Sequence, residues 1–356
     1  MHVPDGFLDL PTSLATGAIA AGAVGIALNK AAPELRRTGP ALPGLLAAFI
    51  FAAQMINFPV GIGTSGHLMG GALAAVLVGP WTAVIVMAAV LLVQGLLFAD
   101  GGLSAMGTNI LLVGLVTVLV GYLVAAALHR ALPRGRAGTV AAASFGALVS
   151  VPVAAAVFVG LYAIGGTHPV PLGAMLTAMV GWHVLVGVGE AIITGAVVGA
   201  VLASRPDLVY LAGAQTRELL VVTDEGSRSV AATPTTLEDD PRPRGAKALF
   251  AWGASLTLLV AGGVSLIASS SPDGLESVAA SLGFEEAAAD SAVAAWPFAD
   301  YGVAGVDALW TTSIAGFVGV AIVAALAYAA LALVARRRSA SGAGAPLQTA
   351  AGRDRH

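Results

Sequence analysis

The sequence predicts an all-α, polytopic membrane protein built from a seven-helix module followed by a two-helix module. Three observations predict it. The chain is 57% hydrophobic and only 10% charged, where soluble domains carry about 25% charged residues. Apolar runs of membrane-spanning length recur along it, and the mean hydropathy is +0.88. All 17 Lys and Arg residues fall in five clusters: Lys30 to Arg37, Arg130 to Arg136, Arg205 to Lys247, Arg336 to Arg338, and Arg353 with Arg355. Cytoplasmic loops collect such residues.

Placing all five clusters inside fixes the order of spans. Apolar segments at 13–29, 41–57, 68–79, 81–98, 106–128, 137–163 and 172–203 give seven crossings, from an outside N-terminus to an inside segment. Segment 68–79 is shorter than the ~20 residues of a perpendicular crossing, and segment 172–203 is long enough for its first part to lie at the interface. Residues 204–246 are polar, Pro-rich near 234–243 and hold seven acidic side chains, so they read as a mobile cytoplasmic linker. Two further spans, 247–268 and 308–334, enclose a loop at 269–307 with seven acidic and no basic residues. The absence of basic residues fits the outside face. The tail, 339–356, is rich in Gly, Ala and Ser and reads as disordered. The domain boundaries expected are therefore 1–203, 204–246, 247–338 and 339–356, with the C-terminus cytoplasmic. The 45 glycines suit close helix approach, Gly195 and Gly199 forming one GxxxG pair.

Several activities are excluded. Cysteine is absent, which removes disulfides and thiolate metal sites. No G-x-x-x-x-G-K-[ST] occurs, and the only lysines are Lys30 and Lys247, so the chain has no P-loop for ATP hydrolysis. No H-E-x-x-H is present, against a zincin protease. "GIGTSG" at 61–66 matches G-x-G-x-x-G but links two membrane segments, where a dinucleotide site needs a soluble βαβ unit. The lipid bilayer is the expected surrounding, with no nucleic acid and no organic cofactor.

"MHVPDGFL", residues 1–8, has no positive run and does not read as a secretory leader. A free N-terminal amine, the amide nitrogen of residue 2 and Nδ1 of His2 can chelate one metal through a five- and a six-membered ring. Those ring sizes require histidine at position 2. A further imidazole, such as His67 in the outside loop 57–67, completes four nitrogens in a plane, a geometry that suits Ni(II) or Cu(II). Pro4 and Gly6 allow the strand to turn back toward a cavity. The candidate metal residues are thus Met1, His2 and His67, with Met1 retained and unformylated.

Other polar residues in apolar surroundings fall into two groups. Asn57 and Asn109, with Gln54 and Gln94, could hydrogen-bond the metal ligands or tie helices together, and Asp100, at the outer end of a span, could cap its loop or attract the metal and support its ligands. His183 and Glu190, two turns apart on one helix face, read as a polar pair that fixes packing or as part of the path. His129 sits beside Arg130 in a topogenic cluster, and His168 lies in an outside loop.

Four stretches, "MHVPDGFL" at 1–8, "GTSGHLMGGALAAVLVGPW" at 63–81, "VQGLLFADGGLSAMGTN" at 93–109 and "WHVLVGVGEAIITG" at 182–195, resemble the cobalt/nickel energy-coupling-factor family. The likeness is to its membrane substrate-capturing component of the CbiM/NikM type. "SSSPDGLESVAASLGF" at 269–284 resembles the signature of the small CbiN/NikN component, here Pro272, Asp273, Gly274, Leu275 and Glu276. The resemblance implies a fused protein, not itself an enzyme, in a bacterial or archaeal cell membrane. It would capture Co²⁺ or Ni²⁺ outside through Met1, His2 and His67. A CbiQ/NikQ-like coupling subunit and a CbiO/NikO-like ATPase would power release inside. It also implies that the Pro272–Glu276 segment touches the first module near the metal entrance, the acidic loop acting on loading. A self-sufficient secondary cation transporter and a membrane metal sensor or assembly factor stay open at this point.

Overall fold

The computed structural model describes residues 1–133, 135–213, 218–223, 226–231, 245–306 and 308–342. In chain order the helices are α1 (Leu10–Lys30), α2 (Ala32–Thr38), α3 (Ala41–Gln54), α4 (Gly71–Val78), α5 (Pro80–Leu97), α6 (Met106–Asn109), α7 (Thr117–Ala131), α8 (Arg136–Gly165), α9 (Leu172–Ser204), α10 (Tyr210–Gly213), α11 (Gly245–Gly262), α12 (Gly274–Leu282) and α13 (Trp310–Gly342). A π-helical stretch, Ile110–Val116, joins α6 to α7. Two antiparallel hairpins complete the set: β1 (Phe58–Gly61) with β2 (Thr64–Gly66), and β3 (Glu218–Thr223) with β4 (Gly226–Ala231).

Among the described residues seven helices are long and apolar enough to cross a membrane: Leu10–Lys30, Pro80–Leu97, Met106–Ala131, Arg136–Gly165, Leu172–Ser204, Lys247–Ile267 and Trp310–Arg336. The protein is an all-α polytopic membrane protein. Two of the nine expected spans fall short. The one at 41–57 is the 14-residue α3. The one at 68–79 is the eight-residue α4, about 12 Å long at 1.5 Å per residue against a hydrocarbon core of about 30 Å. All eight residues of α4 are buried, so this short helix is sheltered by protein rather than lipid, the condition under which broken segments persist at membrane depth. Gly70 (φ 83°) and Gly79 (φ 94°) bracket it in backbone conformations that favour glycine.

The linker expected at 204–246 holds a 3₁₀ turn, α10 and the β3–β4 hairpin, more backbone pairing than a polar linker requires. The remainder of that segment, with the tail beyond Gly342, lies outside the described residues. The GxxxG pair of α9 faces α8: Gly195 lies against Ser144, and Gly199 against Val140. The second module packs α13 on α3 and α5, and α11 on α3 and α13.

One end of the bundle gathers the N-terminal segment, the β1–β2 hairpin, loop 98–105, loop 166–171 and the segment 268–309. None of these contains Lys or Arg. The N-terminal segment is threaded through them. Gly102 N donates to Val3 O (2.9 Å), Ala289 N to Asp5 O (2.8 Å), Thr167 N to Phe7 O (3.2 Å) and Asp9 N to Gly165 O (2.7 Å). Asp9 then caps α1 by accepting from Thr12 N at 2.9 Å. Gly6 turns the strand at φ 90° directly against Ala287 O, leaving no room for a side chain. The left-handed backbone costs a residue with a Cβ about 1–2 kcal/mol, to which the clash adds. Gly6→Ala is therefore expected to lower the thermal unfolding midpoint in detergent by several degrees; an unchanged midpoint would show that the segment is not locked there.

Candidate metal centre

The threaded segment brings the Met1 amine into a buried position between two side chains from opposite ends of the sequence. It contacts Nε2 of His67 and forms an ion pair with Asp273 Oδ2 at 2.8 Å. His67 Nδ1 donates to the carbonyl of Leu68 at 2.9 Å, which fixes the tautomer and leaves the Nε2 lone pair facing the amine. Burial, then the Met1 ammonium and His2, pull the His67 ring down to about 3, so it is neutral near neutral pH. Burial works against a charged Asp273, but the ammonium and His67 outweigh it and hold this carboxyl well below its usual range.

His67 follows the β1–β2 hairpin, and its placement comes from the loop it opens. Met69 N and Gly70 N donate to the two carboxylate oxygens of Glu190 at 2.6 and 2.8 Å. Gln54 Nε2 donates to Met69 O at 2.8 Å. Glu190 of α9 thus pins the residues immediately after His67, just ahead of α4. His183, expected to pair with Glu190, instead donates from Nδ1 to Met179 O at 2.7 Å, and its ring lies against Gly274.

Asp273 is held by its own helix. It caps α12, its Oδ1 accepting from Leu275 N (2.7 Å) and Glu276 N (3.0 Å), while Glu276 Oε2 accepts from Asp273 N (2.8 Å). This capping box leaves Asp273 Oδ2 for the amine. The motif is tied to the hairpin as well: Ser65 N donates to Pro272 O at 2.9 Å, and Ser65 Oγ to Ser271 O at 2.7 Å.

His2 shares the centre, its ring centroid 5.0 Å from that of His67 at 69°. The sequence expects Nδ1 in the chelate. In the structure Nδ1 lies 2.5 Å from Asp100 Oδ1, and Nε2 is buried without a partner. Burial works against a charged Asp100, but His2 beside it and the hydrogen bonds from His2 and Tyr301 lower it to about 2. An ionised Asp100 accepts, so His2 Nδ1 donates. Asn109 fixes the next residue, accepting from Val3 N at 2.7 Å and donating to Val3 O at 3.1 Å.

The centre opens to a cavity of about 750 Å³ lined by His2, His67, Asn57, Asp100, Asp273 and Glu276, among others. Asn57 meets the second module through its carbonyl, which accepts from Ser269 N at 2.7 Å. Among the described residues no three His, Asp or Glu side chains converge as a metal cage. The two nitrogens that meet are the Met1 amine and His67 Nε2, donors of a kind suited to borderline transition metals rather than to Mg²⁺ or Ca²⁺. Met1, His2, His67, Asp100 and Asn109, singled out in the sequence, lie together in the structure. Sequence reasoning did not find the ion pair from Asp273 to the amine, which joins residues 272 apart, nor the contact of Tyr301 with Asp100; an isolated tyrosine in a loop carries no signal of its own.

The Glu190 contacts yield a test. Truncation strands two buried N–H donors, each costing about 1–3 kcal/mol. Glu190→Ala should lower the unfolding midpoint markedly more than an exposed substitution such as Glu285→Ala, measured side by side by intrinsic fluorescence in detergent.

A family model described as "Cobalt uptake substrate-specific transmembrane region" matches residues 2–208, and one described as "PDGLE domain" matches residues 247–336. A putative fused nickel transport protein NikMN of Archaeoglobus fulgidus is 35% identical over 330 residues, covering 92% of this chain and 97% of the relative. A putative metal transport protein of Haloquadratum walsbyi is 38% identical over 214 residues, 59% of this chain and 94% of the relative. A solved structure titled as a truncated transition metal transporter aligns with 57% of this chain and 99% of its own, at 29% identity and a TM-score of 0.49.

Proposed function

The chain belongs to the family of cobalt-uptake substrate-specific transmembrane proteins and carries a PDGLE domain, and from that premise we propose that it captures Ni²⁺ or Co²⁺ at the outer face of the membrane for an energy-coupling-factor importer. It is a cobalt/nickel transport component and a multi-pass membrane protein. Residues 1–203 form the capture module on this reading, 204–246 the connection and 247–338 the auxiliary module.

One observation carries the reading: the buried Met1 amine meets the lone pair of His67 Nε2. Two nitrogen donors from residues 66 apart already point at one another. The amide nitrogen of His2 and its Nδ1 complete the proposed four. In the structure the amine is an ammonium neutralised by Asp273. A metal takes the lone pair that the proton occupies, so capture exchanges protons for the ion, and Asp273 stays beside the new positive charge. Four nitrogens in a plane favour Ni(II), in keeping with the fused nickel transport protein of Archaeoglobus fulgidus.

Orientation follows from charge. Lys30, Arg36, Arg37, Arg130, Arg136 and Arg205 lie at the helix ends opposite the centre, while the segments around the centre hold no basic residue. The positive-inside rule places the centre outside. On this reading a CbiQ/NikQ-like coupling subunit and a CbiO/NikO-like ATPase supply the energy, in keeping with a chain that holds no P-loop.

The test uses protein purified through a C-terminal tag, which leaves Met1 free. His2→Ala and His67→Ala should each lose high-affinity Ni²⁺ binding, by more than the ~10–100-fold typical of residues that only support a ligand, while membrane expression is kept. Metal content after gel filtration reads this out, and unchanged stoichiometry in either variant removes that residue from the site. One alanine inserted between Met1 and His2 keeps every side chain but breaks the chelate rings; calorimetric titration with Ni²⁺ should show a loss comparable to that of His2→Ala. Cellular uptake should also require co-expression of the coupling subunit and ATPase. Full uptake by this chain alone would favour a self-sufficient transporter.

A further inference from the structure

The orientation of His2 is set from the C-terminal module. Asp100, which engages His2 Nδ1 at 2.5 Å, is itself held on its other oxygen by the Tyr301 hydroxyl at 2.5 Å. Gln94 Nε2 donates into the Tyr301 oxygen at 3.1 Å, which commits the tyrosine proton to Asp100. The Tyr301 ring stacks on Phe98, centroids 5.0 Å apart and planes 17° from parallel.

The backbone on both sides of this contact is unusual. Among the described residues the only non-glycine residues with positive φ are Ala99 (54°), Asp300 (52°) and Tyr301 (56°). All three lie within one residue of the Asp100–Tyr301 hydrogen bond, and the two segments are joined by Asp300 N donating to Phe98 O at 2.9 Å. Such conformations persist where the surroundings over-determine them, and they cluster at functional sites.

We propose that Tyr301 is a positioning residue for metal capture: through Asp100 it holds the His2 imidazole turned away from the chelate, so the C-terminal module sets how tightly the N-terminal nitrogens retain Ni²⁺. This rests on the reading of His2 as a ligand. The chelate needs the Nδ1 lone pair, because only Nδ1 closes a six-membered ring with the residue-2 amide. Asp100 engages Nδ1 at 2.5 Å, and that contact has to break before the atom can turn to the ion. Apparent affinity scales with the fraction of molecules whose His2 is free to turn. Loosening Asp100 raises that fraction. A transporter gains from the arrangement, since a site that grips too well does not unload.

Tyr301→Phe keeps the ring stack and removes only the hydroxyl. Losing a hydrogen bond to a charged group should make Ni²⁺ binding about five- to tenfold tighter, with release into excess chelator slowed to match. The visible absorption of bound Ni²⁺ should stay that of the unsubstituted protein, because the ligands are unchanged. Asp100→Asn, close in size but a weaker acceptor, should shift affinity in the same direction and stands as the second variant. A merely structural Tyr301 gives the opposite result, a looser centre and weaker binding. The experiment is competition of Ni²⁺ against a chelator of known affinity, on the full chain in detergent, with His2→Ala alongside. Binding lost in His2→Ala but unchanged or weaker in Tyr301→Phe overturns the role of Tyr301 alone. Unaffected binding in His2→Ala overturns the ligand assignment and this inference with it.

Discussion

A buried ammonium must be neutralised, and the N-terminal amine is neutralised by a carboxylate 272 residues away. The Met1–Asp273 ion pair is the constraint from which much of the arrangement follows. An isolated charge in a low-dielectric interior is costly enough to be avoided or paired. Asp273 therefore has to reach into the first module, and α12 has to deliver it there. The capping box answers that need, since one Asp273 oxygen starts the helix and the other is left for the amine. Ser65 and the main chain of Ser271 and Pro272 set the depth of the insertion. Burial keeps His67 neutral beside the ammonium, with its lone pair toward the amine.

The membrane class was legible because hydropathy and positive charge are summed over many residues and survive local error. Composition and the Lys/Arg clusters needed no contact to be known. The two short elements show where that reasoning stops. Segments 41–57 and 68–79 have the composition of spans, but a hydropathy pattern does not distinguish apolar residues facing lipid from apolar residues facing protein. Helix α4, buried along its whole length, is of the second kind. Its length is set by the positive-φ glycines at its ends, Gly70 and Gly79, and Glu190 anchors the loop ahead of it, none of which changes mean hydropathy.

The centre was legible in its local half. That Met1 and His2 lie together is a matter of adjacency, and the approach of His67 to them followed from sharing a face. Partners across the modules were not legible. Glu190 and His183 sit at helical spacing, yet each finds a different partner, because main-chain N–H groups of the loop after His67 claim the carboxylate first. Asp273 was marked by its motif, but nothing in the motif names the amine. Tyr301 has no motif. Its role rests on a turn at positive φ that brings it beside Asp100, and positive φ at a residue other than glycine leaves no trace in sequence.

The threading of residues 1–9 sets the order of assembly during synthesis. The first residues made are held by partners among the last: Asp273 for the amine, Ala289 for Asp5. At about 5–20 residues per second, some 270 residues of chain take roughly 15 to 60 seconds. Over that interval the N-terminal amine waits with its charge unpaired, and the first module is completed around it only toward the end. The candidate metal centre is thus begun early and closed late, once the segment carrying Asp273 and Ala289 has been made.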